Sequence, residues 1–347
     1  MTDEVKFYTN DKGLATITLN RPKALNSLTH EMVVAMKEHL NEWRDRADIQ
    51  VILIEGAGEK GFCAGGDIKT LSQARNGPKD FEKARRFFED EYEVDLMIQE
   101  YPKPIAACLD GIVMGGGVGL TQGASHRIVT ERTKWAMPEM NIGFFPDVGG
   151  AYFFNKAPGY TGRYLALTSS TIKAADILYI HAADYYVSNL KPVIDELITI
   201  DWTQEHDPAA KLTSVITVQH SKPEAGMLSS IQDDINHYFQ YDSVETIVEK
   251  LESDSTHSFA AETRETLLAK SPVSEKVTLK HLIDSENKSL EDVLQMDLVI
   301  ATGFLKHEDF YKGIESVIFK KNHSPAYTYK HLADVSENMV ESFFTDK

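Results

Sequence analysis

Two short alternating runs open the chain. Val5–Thr9 and Leu14–Leu19 put apolar and polar residues on opposite faces, and Asn10-Asp11-Lys12-Gly13 between them is a hairpin signal. Arg21-Pro22 ends the second strand. Thr29 is placed to cap a helix running to about Arg46, on which Met32, Met36, Leu40 and Trp43 recur at helical spacing. Val51–Glu55 is a continuous apolar run, the pattern of a strand covered on both faces. A glycine-rich loop follows from Gly56 to Gly66. The helical period returns in Phe81–Gln99 through Ala84, Phe88, Tyr92 and Leu96, and Pro102 and Pro104 stop it. Ile105–Leu109 and Arg127–Thr130 are further short buried strands, and Asp184–Val187 is the last. Strands alternating with helices predict an α/β core over residues 1–190.

Beyond that point the period changes. Asn189–Gln219 is mixed, and Val244–Leu251, Phe259–Lys270, Glu275–Ile283, Leu290–Leu305 and Phe310–Phe319 all carry helical periodicity. The expected organisation is a catalytic core at 1–190 with a mainly helical C-terminal region, 191–347, packed on it.

Composition narrows the partners. A net charge of −17 over 347 residues repels nucleic acid and anionic membranes, while leaving room for an anionic small ligand held by a few local cations. No apolar run approaches the roughly 20 residues of a membrane span. Cys63 and Cys108 fit neither a disulfide framework nor a metal spacing, so no metal is expected. The start, M-T-D-E-V-K-F, lacks the basic and apolar regions of a signal peptide, which makes the cytoplasm the expected compartment.

Four local patterns are candidates for chemistry. Gly56-Ala57-Gly58-Glu59-Lys60-Gly61 fits a dinucleotide-binding turn by spacing, but F-C-A-G-G-D follows it, which is too glycine-rich to open the required helix. F-C-A-G-G-D itself, Phe62 to Asp67, is a tight loop whose backbone N–H groups can face a ligand. Gly115, Gly116 and Gly117 enter a small-residue helix after a turn at Asp110-Gly111, and such a helix start can stabilise an oxyanion. Both clusters follow strands of one expected sheet, so their N–H groups can converge on one carbonyl oxygen. Glu139 and Asp147 lie among Met137, Met140, Ile142, Phe144, Phe145 and Val148. Burial in such company raises a carboxyl pKa towards the range useful for acid–base work. Glu91 lies on a highly charged helix, where a solvated face is the default. His126, beside Arg127, reads as structural.

Taken together, R-P-K-A-L-N-S-L (Arg21–Leu28), F-C-A-G-G-D, the glycine triplet and M-P-E with F-P-D-V-G-G resemble the crotonase superfamily, the enoyl-CoA hydratase/isomerase group. Within it the chain resembles the 3-hydroxyisobutyryl-CoA hydrolase branch, which is longer and helical towards its C-terminus. D-F-Y-K-G-I at Asp309 is similar to that branch's D-F-x-E-G-V, with Lys312 in place of the usual acid. The resemblance implies a crotonase-like core of ββα repeats with a helical C-terminal extension.

It also implies roles. Hydratases of the family carry a catalytic glutamate two residues after the triplet, where this chain has Gly119; their second glutamate matches Glu139, and their usual glycine eight residues on is Asp147 here. Gly66 and Gly116 would supply the oxyanion-hole N–H groups, and Glu139 would be nucleophile or general base. Asp147 would bind the substrate's hydroxyl or orient water. Glu91 would line the acyl pocket. Lys23, Ala24 and Leu25, with Ala64 and Gly65, would meet the CoA. The implied reaction is hydrolysis of a short branched 3-hydroxyacyl-CoA, with CoA as part of the substrate and no separate cofactor. An enoyl-CoA hydratase or isomerase is the alternative, and a CoA-binding protein without turnover the third. Crotonase relatives are often trimers or hexamers, so a homo-oligomer stays open.

Overall fold

The computed structural model describes residues 2–345. Among the described residues the strands form two sheets. The larger has six strands in the order β1 (Val5–Thr9), β2 (Leu14–Leu19), β3 (Val51–Gly56), β5 (Ile105–Leu109), β7 (His126–Val129) and β9 (Tyr185–Tyr186). β1 and β2 form the expected antiparallel hairpin, with Val5 opposite Leu19, and every later pairing in this sheet is parallel. The smaller sheet contains β4 (Gly61–Cys63), β6 (Ile112–Met114) and β8 (Lys134–Ala136). Three residues per strand are too few to write an alternation, and the first of them, Gly61–Cys63, falls inside the stretch that the sequence reads as a glycine-rich loop.

The chain folds into two compact units. Unit 1 contains Met1–Gly66, Asp90–Trp135 and Ile172–Gly226, and unit 2 contains Asp67–Glu89, Ala136–Thr171 and Met227–Lys347. In unit 1, Leu53, Ala106, Cys108 and Ile128 on one face of the large sheet pack with Val193, Leu197, Trp202, Leu212 and Ile216. Those last residues belong to helices Lys191–Thr199 and Pro208–Gln219 and the turn between them, so the segment expected as mixed is mostly helical. Ile52 and Ile54 alternate to the other face and are buried as well. A sheet covered on both faces is why Val51–Ile54 is apolar without alternation. The helix His30–Arg44 takes its cap from the Thr29 hydroxyl, which accepts from Met32 N, and buries Met32, Met36, Leu40 and Trp43 as their spacing predicts.

Unit 2 is helical. Its helices include Thr161–Thr168, Gln232–Phe239, Val244–Ser253, Ser258–Leu268, Pro272–Asp284, Leu290–Phe304 and Glu308–Ile314. The last continues into a π-helical turn, Glu315–Lys320, in place of the longer helix that the periodicity predicts. Phe144 is the hub of an aromatic cluster, with Phe88, Phe145, Phe304 and Phe310 at ring-centroid distances of 4.9–5.7 Å. The cluster shields the segment that carries Glu139 and Asp147.

Candidate active site

In unit 1 two glycine loops meet. Gly65 has φ +95°, and a Cβ there would sit 3.4 Å from Gly116 N, so the two backbones are in contact and only glycine suits the position. Gly66 bridges to Leu28, and Leu28 N donates to Gly65 O at 2.9 Å. The triplet enters the helix Gly116–Gln122, whose first N–H groups lack intrahelical acceptors by construction. Glu91 lies against this turn. It is 3 % exposed, and its Oε1 would be 2.2 Å from a Cβ on Gly116. The default reading of Glu91 as a solvated acid is therefore wrong: the fold turns this side chain inwards. Burial, reinforced by the Glu91 and Asp95 charges, pushes the Cys63 thiol up to about 12, so it is no nucleophile at neutral pH.

The Arg21–Leu28 segment is stitched to the same loop. Pro22–Ala24 is a 3₁₀ turn that leaves Lys23 and Ala24 exposed, and Leu25 O accepts from Ala64 N at 3.0 Å. Asn26 organises this join. It is fully buried; its Oδ1 accepts from Arg21 N, and its Nδ2 donates to the carbonyls of Ala57 and Gly61. Asn26 sits inside the R-P-K-A-L-N-S-L motif, whose pattern alone gives it no task. The signal that could have found the clamp is an asparagine closing a proline-led turn, where its side chain bonds nearby backbone.

In unit 2, Glu139 opens a 3₁₀ turn ending at Ile142, and Asp147 precedes the turn into helix Gly150–Phe154. Met137, Met140, Ile142, Phe144, Phe145 and Val148 are all buried, as is Asp147. Glu139 is half-buried as a residue, but its Oε2 is sealed from solvent and has no hydrogen-bond partner among the described residues. Desolvation first, and the charge of Asp147 second, hold the Glu139 carboxyl well above the usual range. Such a group is a stronger base, once ionised, than a solvated carboxylate.

The D-F-Y-K-G-I segment braces this turn. Asp309 accepts from Ser271 Oγ at 2.7 Å and from Thr328 N at 2.7 Å. A Cβ on Gly313 would meet Ile142 O at 2.1 Å, and one on Gly143 would meet Asp309 O at 2.5 Å. Lys312, where the family pattern has an acid, donates to Thr328 Oγ1 at 2.8 Å and takes no part in the brace.

Thus Leu25, Ala64, Gly65, Gly116 and Glu91 come together in unit 1, and Glu139 and Asp147 in unit 2. His126 bonds Ser125 and Thr213 inside the fold and is structural, as expected. The Gly56–Gly61 loop leads into β4 and not into a helix, so it is not a dinucleotide turn.

The enoyl-CoA hydratase/isomerase family model matches residues 14–344. The chain belongs to that family. Its relatives include the mitochondrial 3-hydroxyisobutyryl-CoA hydrolases of Xenopus tropicalis, 38% identical over 336 residues (95% of this chain, 86% of the relative), and of Homo sapiens, 35% identical over 331 residues (94% and 85%). Among solved members of the enoyl-CoA hydratase/isomerase fold, a carnitinyl-CoA dehydratase from Mycobacterium thermoresistibile superposes with TM-score 0.90 at 35% identity, covering 100% of this chain and 97% of the other. An enoyl-CoA hydratase from Rhodobacter sphaeroides gives 0.88 at 30% identity, covering 99% and 97%. The crotonase-like α/β fold with a helical C-terminal region, expected from the motifs, is borne out over the whole chain.

Proposed function

We propose that the protein hydrolyses a short branched 3-hydroxyacyl-CoA thioester, 3-hydroxyisobutyryl-CoA first among candidates, to the free acid and CoA. That substrate places it in valine breakdown. The observation that carries the reading is the Glu139–Asp147 pair: a carboxyl with one sealed, unpartnered oxygen and a raised pKa, next to an acid where hydratases of the family have glycine, while Gly119 leaves no acid at the other hydratase position. The names of the relatives over nearly the whole chain support it.

In this reading the N–H groups of Gly66 and Gly116 receive the thioester oxygen as it gains charge. The ionised Glu139 either attacks the carbonyl carbon, giving a mixed anhydride that water then opens, or takes a proton from the attacking water. By both routes the C–S bond breaks, the CoA sulfur ends as a thiol and the acyl carbon gains a water oxygen. Asp147 orients water or holds the 3-hydroxyl, and Glu91 lines the acyl pocket. Lys23, Ala24, Leu25, Ala64 and Gly65 meet the CoA, the Lys23 charge suiting its phosphates. No cofactor beyond the substrate's own CoA is invoked.

The second reading, an enoyl-CoA hydratase or isomerase, draws on the names of the two similar solved proteins and on Glu139 matching one hydratase glutamate. Two assays on pure protein separate them. Thiol release from 3-hydroxyisobutyryl-CoA supports hydrolysis; loss of enoyl-thioester absorbance without thiol release supports hydration. No helix among the described residues is long and apolar enough to cross a membrane. For the compartment, the relatives' names say mitochondrial, and cell fractionation tests whether this protein shares that location. Light scattering tests for a homo-oligomer.

A further inference from the structure

Behind the Asp147 turn lies a buried pair that the reaction so far leaves without a task. Gly149 N donates to Asp297 Oδ2 at 2.8 Å, and Asp297 Oδ1 is 2.6 Å from His281 Nε2. His281 Nδ1 in turn lies 3.3 Å from Ser285 Oγ. Asp297 has no exposed surface, His281 is 1 % exposed, and the Phe145 ring packs edge-on against the imidazole at 5.7 Å. The two side chains come from separate helices, Pro272–Asp284 and Leu290–Phe304.

The turn they hold is strained. Val148 has φ +50°, a left-handed conformation that a β-branched residue rarely adopts. Such a residue persists only where its surroundings over-determine it. Here two bonds do so: Gly150 N closes the turn on Asp147 O at 2.8 Å, and Asp297 clamps the intervening Gly149 N–H. A buried ionisable pair adds little to stability relative to apolar residues of the same volume, so its better-attested use is to fix a geometry.

We propose that Asp297 and His281 are positioning residues: Asp297 holds the Val148–Gly149 backbone so that the Asp147 carboxyl stays beside Glu139, and His281 holds Asp297. This rests on the hydrolase reading for its activity readout but not for its structural one. Without the clamp the strain at Val148 is released, the turn relaxes, and Asp147 swings out of place.

The test uses the full chain with Asp297→Leu, which has similar size and no acceptor, His281→Gln, and Asp297→Leu combined with Val148→Gly. Asp297→Leu is expected to lower kcat for thiol release on the order of 10- to 100-fold, as misplacement by an ångström does, with KM within about twofold of wild type. His281→Gln, which keeps a donor, is expected to lose less. Glycine at 148 carries no strain, so the double variant is expected to recover most of the loss. A crystal structure of Asp297→Leu is expected to have Val148 at negative φ. Wild-type kcat in Asp297→Leu, a loss that Val148→Gly does not relieve, or a 147–150 turn that has not moved would each overturn the proposal. If wild type itself releases no thiol, the hydrolase reading fails and the crystal structure alone decides the positioning claim. If Asp297→Leu does not fold, His281→Gln is read by the same criteria, and wild-type kcat there overturns it.

Discussion

The Glu91 carboxylate occupies the space that a side chain on Gly116 would need: its Oε1 would lie 2.2 Å from a Cβ there. The absence of a side chain at 116 and the burial of an acid at 91 are one feature. Gly116→Ala is therefore expected to displace Glu91 and to cost about 1–3 kcal/mol through overpacking, seen as a lower Tm. Thiol release is expected to fall with it. Adding Glu91→Ala frees the space, so the double variant should regain stability without regaining activity. Recovery of both would mean that Glu91 has no part in the substrate site.

The pH dependence follows from the raised Glu139 pKa. A carboxyl whose pKa rises on folding binds its proton more tightly in the native state. The sign is therefore a loss of stability as pH climbs from the ordinary value of 4.5 through the raised one, levelling above it. Glu139→Gln should be more stable than wild type at high pH, with the gap closing in acid, as measured by urea unfolding across pH. Activity has the opposite sign, because nucleophile and base both need the ionised form, so thiol release should rise with pH through the raised pKa. Since the Asp147 charge contributes to the shift, Asp147→Asn should move that acid limb to lower pH as well as reducing the rate.

The brace on the Glu139 turn gives a contrast within one short segment. Asp309→Ala strands the buried Ser271 hydroxyl, at about 1–3 kcal/mol, and also releases the Thr328 N–H, which lies nearer the surface and costs less. Gly313→Ala forces a methyl into Ile142 O and should be as damaging. Lys312→Glu, which restores the acid of the family pattern, only exchanges the partner of a surface hydroxyl and is expected to change stability by no more than about 0.5 kcal/mol. Thermal melts of the three variants check the order.

Asn26 is expected to act on substrate binding more than on turnover. Its side chain ties Arg21 N to the carbonyls of Ala57 and Gly61, beside the Lys23–Leu25 turn. Asn26→Ala leaves those groups unsatisfied, at about 1–3 kcal/mol each where they are sealed from water. Steady-state kinetics should give a higher KM for acyl-CoA with a smaller change in kcat. A normal KM would separate this loop from CoA recognition.

Much of the framework was legible because it obeys simple periods. The Met32–Trp43 stripe and the apolar Val51–Ile54 run both found the burial that their spacing predicts. The three-residue strands of the second sheet were not legible, since Gly61–Cys63 and Ile112–Met114 are shorter than any period. At the site, the glycines and Glu139 stood out because their composition is unusual where they occur. Glu91 did not: its neighbours Glu89 and Asp90 mark a charged helix, and only the fold turns Glu91 inwards while Glu89 stays exposed. Asp309, His281 and Asp297 act through groups distant in sequence, and no local spacing encodes such partners.

The central claim is that Glu139 drives hydrolysis of a 3-hydroxyacyl-CoA thioester. The most direct measurement is free-thiol release from 3-hydroxyisobutyryl-CoA by the pure protein, run beside Glu139→Gln under the same conditions. The account predicts saturable release by wild type and a loss on the order of 10²-fold or more in the variant, the scale of an essential acid–base group. Release at the same rate by both, or none above background by wild type, would contradict it.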